Sequence, residues 1–293
     1  MPASNLQLFA VCVLIWGSTW FAITYQLGSV APELSVGYRF LLASAALFAF
    51  CRWRGHPLGY SARQHADLAL FGACMFCLSY ILVYHAEIHI VSAMVAVGYS
   101  TMPMINMLAA RCFFGTPMTS RVGSAALLGI FGIVCIYWTE FGKFSASRDA
   151  ELGALLTILS VLASSAGNMT AIRIQRRGFG TWPSMAWGML YGGIMALVYA
   201  LLAGRPLVID LRLPYVISMV YLALFGSIVT FGCYLTLIER IGAARSSYVG
   251  VMVPVVALGV SFLFEHLAWT TATTAGVCLL LIGNVLMLSE PAR

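Results

Sequence analysis

The chain has 293 residues, of which 61% are hydrophobic and only 9% charged, with a formal net charge of +6. Ordinary soluble domains carry about 25% charged residues, so water is excluded as the main solvent. A hydrocarbon core about 30 Å thick needs roughly 20 apolar residues per helical span, which leaves room for about ten spans and almost no extramembrane domain.

In chain order, the apolar run from Leu6 to Tyr25 is preceded by no Lys or Arg. It lacks the charged leader of a secretory signal and is expected to be a retained first span, carrying Trp16 and Trp20. Punctuation by Gly, Pro and charge predicts spans near 6–27, 35–53, 66–86, 91–111, 120–140, 151–173, 183–203, 215–239, 245–264 and 270–289. Span 2 holds Arg39, the one cation clearly inside a span. Its guanidinium suits a substrate carboxylate, but snorkelling to the surface or pairing with Glu33 is the expected arrangement.

Span 3 contains Cys74-x-x-Cys77 among lipid-like neighbours (Phe71, Met75, Phe76, Leu78), surroundings that disfavour a thiolate. None of the eight cysteines lies in a paired loop position, so no disulfide framework is indicated. The same span places Tyr80 and Tyr84 on one face and ends in His85-x-Glu87-x-His89. Two histidines four apart supply two metal ligands with no third in sight, so neither metal nor any other cofactor is expected. Span 4 puts Tyr99, Met102 and Asn106 on one face, beside Pro103.

Thr157, Ser160, Ser164 and Asn168 follow helical spacing along span 6 and form one polar stripe, suited to lining a cavity or to close helix packing. Span 7 carries Trp187, Tyr191 and the GxxxG pair Gly188 and Gly192, which serves packing within the chain or a dimer; oligomeric state stays open. Pro254 interrupts span 9 as Pro103 does span 4. Each removes one helical hydrogen bond and makes either a tolerated kink or a hinge.

With a cytoplasmic N-terminus, eleven arginines, among them Arg52, Arg54, Arg111, Arg173, Arg176 and Arg240, fall on the cytoplasmic side. Five cations fall opposite: Lys143, Arg148, Arg205, Arg212 and the slightly deeper Arg39. The positive-inside rule then places both termini in the cytoplasm. The basic charge is thus topological, and no nucleic-acid partner is implied. Trp53, Trp138, Trp182 and Trp269 sit at span ends, where indoles anchor in the headgroup region.

The polar stretch Gly142–Asp149 divides the chain into halves, 1–145 and 146–293, of five spans each. An odd number makes the halves inverted. Traces of duplication pair Phe71-Gly72 with Phe225-Gly226 and Tyr80 with Tyr234, then Pro103, Phe113 and Gly132 with Pro254, Phe264 and Gly283. The fold class expected is therefore all-α integral membrane, ten helices as two inverted five-helix repeats, an arrangement common in secondary transporters.

Three segments resemble the drug/metabolite transporter superfamily, in its ten-helix EamA-type branch. They are Leu14-Ile15-Trp16-Gly17-Ser18-Thr19-Trp20, then Pro32 followed by Gly37-Tyr38-Arg39-Phe40-Leu41-Leu42-Ala43, and Val253-Pro254-Val255 running to Phe264-Glu265. The resemblance implies a transporter, not an enzyme, and its aromatic-rich helices are most similar to the bacterial amino-acid exporters, the aromatic group included. One departure stands out: the family often closes helix 4 with an acidic residue as it does helix 9, but here Phe114-Gly115 stand opposite Glu265.

The expected substrate-binding set is Trp20, Tyr80, Tyr84, His85, Tyr99, Ser164, Asn168 and Trp187, with Pro103 and Pro254 as hinges. Rings concentrated in spans 1, 3, 4 and 7 favour an apolar or ring-bearing cargo. Phosphorylated cargo would want several cavity cations, so it is disfavoured. Glu87, Glu239 and Glu265 all lie near span ends, so no deep carboxylate is evident and a uniporter is as plausible as a proton antiporter. The function expected is alternating-access export of neutral or aromatic amino acids, with lipid and a small molecule as partners. Efflux of nucleobases or drugs is the alternative within transport. A membrane-embedded enzyme would need a buried Asp pair, a Ser–His arrangement or a metal cluster, none of which stands at motif spacing.

Overall fold

The computed structural model describes residues 3–115, 124, 127–132, 134–136, 148–241, 248–267 and 269–288, and every regular element among them is helical. Seven helices are long and apolar enough to cross a membrane, and three shorter apolar helices bring the number to the expected ten. They are α1 (Asn5–Thr24), α2 (Pro32–Trp53), α3 (Ala62–His89), α4 (Ser92–Phe113), α5 (Leu127–Ile136), α6 (Arg148–Arg176), α7 (Thr181–Leu202), α8 (Leu213–Leu237), α9 (Tyr248–Phe264) and α10 (Thr271–Leu288). The chain is an all-α integral membrane protein. The boundary at 145–146, Trp138, Lys143, Arg121 and Arg245 lie outside the described residues.

Several helices start before the apolar run does, for local reasons. Pro32 opens α2 at its first turn, where a missing N–H costs nothing, and this draws Glu33 into the helix. Ser61 and Gln64 form a reciprocal capping box that starts α3 at Ala62. α3 and α8 each carry a wider π-helical stretch, Ala73–Leu78 and Tyr221–Val229, in spans that the sequence duplication also pairs. In α8 the Ser227 hydroxyl donates to the Leu222 carbonyl at 3.0 Å, supplying a partner where the ladder is altered.

Along α6 burial is inverted relative to a soluble protein: Leu152, Leu155, Ile158 and Leu162 are exposed, whereas Thr157, Ser160 and Ser164 are buried. Lipid is as apolar as leucine, so apolar faces turn outward at no cost, and polar groups turn inward to find partners.

The chain packs as two units, and neither coincides with a sequence half: one comprises residues 22–85 and 158–228, the other 1–21, 86–157 and 229–293. In the 22–85/158–228 unit, α7 is the hub. Gly37 of α2 lies against Leu197, and Gly193 against Leu41. Gly188 and Gly192 face Phe71, Gly72 and Phe76 of α3, so the GxxxG pair is used for packing inside the chain. Ser44 donates to the Ala186 carbonyl at 2.8 Å, and Asp67 near the start of α3 pairs with Arg173 and Arg177 at the end of α6.

In the other unit, Leu8, Cys12 and Val13 of α1 pack with Leu237 and Val249, and Gly17 lies against Val256. Ala93, Met94 and Val97 of α4 pack with Leu258, Leu280 and Ile136. Gly132 of α5 and Gly276 of α10 bring those two helices together at backbone distance. Without a hydrophobic drive between helices in lipid, such small-residue crossings supply the van der Waals contact that holds spans together.

Candidate substrate site

Around the first turns of α2, the 22–85/158–228 unit buries an unusual set of polar groups. Gln26, Glu33 and Arg39 are 0%, 2% and 2% exposed. The hydroxyl of fully buried Tyr84 donates to Gln26 Oε1 at 2.7 Å. One residue on, His85 Nε2 donates to Glu33 Oε1 at 2.9 Å, and Glu33 Oε2 has no partner among the described residues. One turn before Tyr84, Tyr80 lies edge-on to Phe40, with centroids 4.7 Å apart. The Arg39 guanidinium sits over both rings, 4.7 Å from Tyr80 and 5.2 Å from Phe40.

This corrects one expectation. Arg39 neither reaches the surface nor pairs with Glu33, because Glu33 is engaged by His85 and Arg39 lies buried against the Tyr80 and Phe40 rings. Glu33 itself is buried in the first turn of α2, at a span end as Glu87 and Glu265 are, because Pro32 starts that helix before the apolar run. Gln26 is not among the residues expected from sequence, where its only signal is an amide closing an apolar run.

Tyr80, Tyr84 and His85 are thus brought together. Trp187 is elsewhere in the same unit: it meets His65 (4.6 Å), Phe48 (4.9 Å) and Tyr191 (5.7 Å), and its indole N–H donates to the Leu58 carbonyl at 3.0 Å. His65 precedes Tyr80 by fifteen residues on α3, about 20 Å of helix. Ser164 is buried and Asn168 half-buried on α6, where Gly167 packs closely on Met75 of α3.

In the other unit, Trp20 and Tyr99 form a ring pair at 4.9 Å, and the buried Trp20 N–H has no partner among the described residues. Tyr99 closes the first piece of α4: Ser92–Tyr99 and Met102–Phe114 are separate helical segments, and Pro103 stands in the first turn of the second. Pro254 lies inside the uninterrupted α9, beside an apolar cavity of ≈ 10 Å³ lined by Val97, Leu258 and Leu280. The two prolines therefore occupy different local structures. Glu265 accepts from the Ser92 hydroxyl (2.5 Å) and backbone N–H (3.3 Å) and from Ser261, so it caps the positive end of α4. His89 pairs with Asp149 at 3.3 Å, so the two histidines of His85-x-Glu87-x-His89 are committed to different carboxylates.

Outside the spans, Asp210 accepts from Ser29 and from both the side chain and backbone N–H of Arg212. These donors hold its carboxyl well below the usual carboxylate range.

Ten apolar helices, polar side chains turned inward along α6 and a partly buried polar–aromatic cluster suit a membrane protein that handles small molecules. The chain belongs to the EamA-like transporter family, whose model matches residues 4–138 and again 151–289. It is 31% identical to the Escherichia coli (strain K12) protein named as the uncharacterized inner membrane transporter YedA, over 86% of this chain and 79% of that one. It is 22% identical to PagO of Salmonella typhimurium, over 96% of this chain and 91% of that one. A solved crystal structure shares the fold with a TM-score of 0.70 at 16% identity, covering 97% of this chain and 96% of the other.

Proposed function

We propose that this transporter exports neutral or aromatic amino acids across a bacterial inner membrane by alternating access, as a uniporter with both termini cytoplasmic. The observation that carries it is the cluster of Tyr80, Tyr84, His85 and Arg39, in which Tyr84 and Arg39 are buried and Tyr80 and His85 half-buried, and which combines ring surface with polar and cationic groups of the kind a zwitterion with an apolar side chain needs. The inner-membrane location follows the name of the YedA relative, and the orientation follows the arginine bias. Two matched stretches of five expected spans each support inverted repeats, with Trp20, Tyr99, Ser164, Asn168 and Trp187 as further pathway residues and Pro103 and Pro254 as hinges.

The experiment is substrate movement in liposomes containing the purified protein, with a panel of labelled amino acids, nucleobases and drugs, with and without a pH difference. Amino acids moving down their own gradient without an imposed ion gradient is the expected result. Concentrative uptake driven by a pH difference and lost in Glu33→Gln or His85→Ala overturns uniport, because that pair is the carboxylate–imidazole contact through which a proton would be carried. A panel in which only nucleobases or drugs move overturns the amino-acid reading.

A further inference from the structure

We infer that Arg39 is the carboxylate-binding residue of the substrate site. An arginine cannot shed its proton inside a protein, so its charge and five N–H donors must be compensated where they stand. Other arginines are: Arg212, 67% exposed, is held by Asp210; Arg177 and Arg173, each about half exposed, share Asp67; and Arg240 donates to the Ala3 carbonyl at 2.7 Å. Arg39 is 2% exposed, and among the described residues it makes no ion pair; its Nε and Nη1 are buried without any acceptor. The best-buried guanidinium of this set is therefore the one left unsatisfied. Leaving buried charged donors unmade is costly, so such a group persists where a ligand completes it.

What surrounds it narrows the ligand. Tyr80 and Phe40 hold the guanidinium at cation–π distance without accepting its N–H groups, and Nε and Nη1, two donors of the fork that binds a planar two-oxygen anion, stand for a partner. The nearest acidic residue on α2, Glu33, is turned to His85 and does not compete. α2 cannot easily shift the group, because Gly37 and Leu41 on either side of it are locked against Leu197 and Gly193 of α7. A single cation backed by aromatic rings suits one carboxylate next to an apolar or ring-bearing group; a phosphate monoester would call for several cations.

The choice of probe rests on the amino-acid reading above, and the measurement separates the two. Binding of phenylalanine, phenylalaninamide and phenylacetate is measured by thermal shift on the purified full chain, and transport of labelled phenylalanine in liposomes, for wild type, Arg39→Gln and Arg39→Lys. Wild type should bind phenylalanine and phenylacetate at least about tenfold more tightly than the amide, the scale of one charge-assisted bidentate contact. Arg39→Gln should abolish that preference while leaving the affinity for the amide within about threefold, and Arg39→Lys should keep part of it, since the charge remains and the fork is lost. Equal wild-type affinity for acid and amide overturns the assignment even if no variant folds, and so does equal weakening of both by Arg39→Gln. Arg39-dependent phenylacetate binding without phenylalanine transport leaves the carboxylate site standing and sinks the amino-acid reading. Phenylalanine transport that the amide blocks as strongly as phenylalanine does the reverse. Absence of any carboxylate binding to wild type overturns the carboxylate site.

Discussion

Gly72 sits where α3 crosses α7, and the consequence of adding one methyl group there can be worked through. A Cβ on Gly72 would meet the Gly188 carbonyl group and the Gly192 backbone nitrogen, 2.9 Å from the latter. Both obstacles are main chain, so no side chain can rotate away, and the helices must separate. Overpacking of this kind typically costs about 1–3 kcal/mol, and rigid neighbours put Gly72→Ala near the top of that range. In a chain of this size each kcal/mol lowers the melting temperature by about 2–4 °C, so a loss of about 4–12 °C is expected. Gly259 in α9 is the control: among the described residues a Cβ there meets nothing within 4 Å, and alanine is favoured over glycine inside a helix by about 0.5–1 kcal/mol. Gly259→Ala should therefore melt level with or slightly above wild type. The assay is thermal unfolding in detergent followed by size-exclusion of the surviving monodisperse fraction. A Gly72→Ala protein melting within about 1 °C of wild type, or one displaced no further than Gly259→Ala, would refute the claim that glycine contacts hold this unit together.

Asp67→Ala should cost only about 1 kcal/mol in the same melting assay, because Arg173 and Arg177 are half-exposed and find water when their acceptor goes; a much larger loss would mean the arginines are held inside by the rest of the unit. Asp210 has its carboxyl lowered by Arg212 and Ser29, so its contribution is present above the ordinary carboxylate pKa and is lost as pH falls through the lower folded value. Melting should thus show no loss from this group between pH 5 and 8, and a drop near pH 6 that Asp210→Asn removes would contradict it. In a cysteine-free background, Arg205→Cys, between α7 and α8, should react with a membrane-impermeant reagent added from outside intact cells; labelling only after the cytoplasm is opened would overturn the orientation drawn from the arginine bias.

The sequence by itself determined the class of protein, the number of helices and their approximate limits. Hydrophobic run length and the need to satisfy every backbone group within lipid are local constraints, legible residue by residue, as the ten apolar runs and the ten helices illustrate. Local chemistry went slightly further than hydropathy allowed: Pro32 and the Ser61–Gln64 box start α2 and α3 before their apolar runs begin. Tertiary structure alone decided which side chains meet. Helical spacing puts Tyr80 and Tyr84 on one face but says nothing of what faces them, so the turn of Glu33 to His85, the bond from Tyr84 to Gln26 and the isolation of Arg39 emerged only once α2 lay beside α3. Aromatic content likewise carries no coordinate along a helix axis, so the sequence cannot separate Trp187 from Tyr80, whereas in space Trp187 lies beside His65. Duplication marks ancestry, whereas packing follows contact, so the halves 1–145 and 146–293 do not coincide with either packed unit. Partner choice among buried groups depends on residues far apart in the chain, and no periodicity within one helix encodes it.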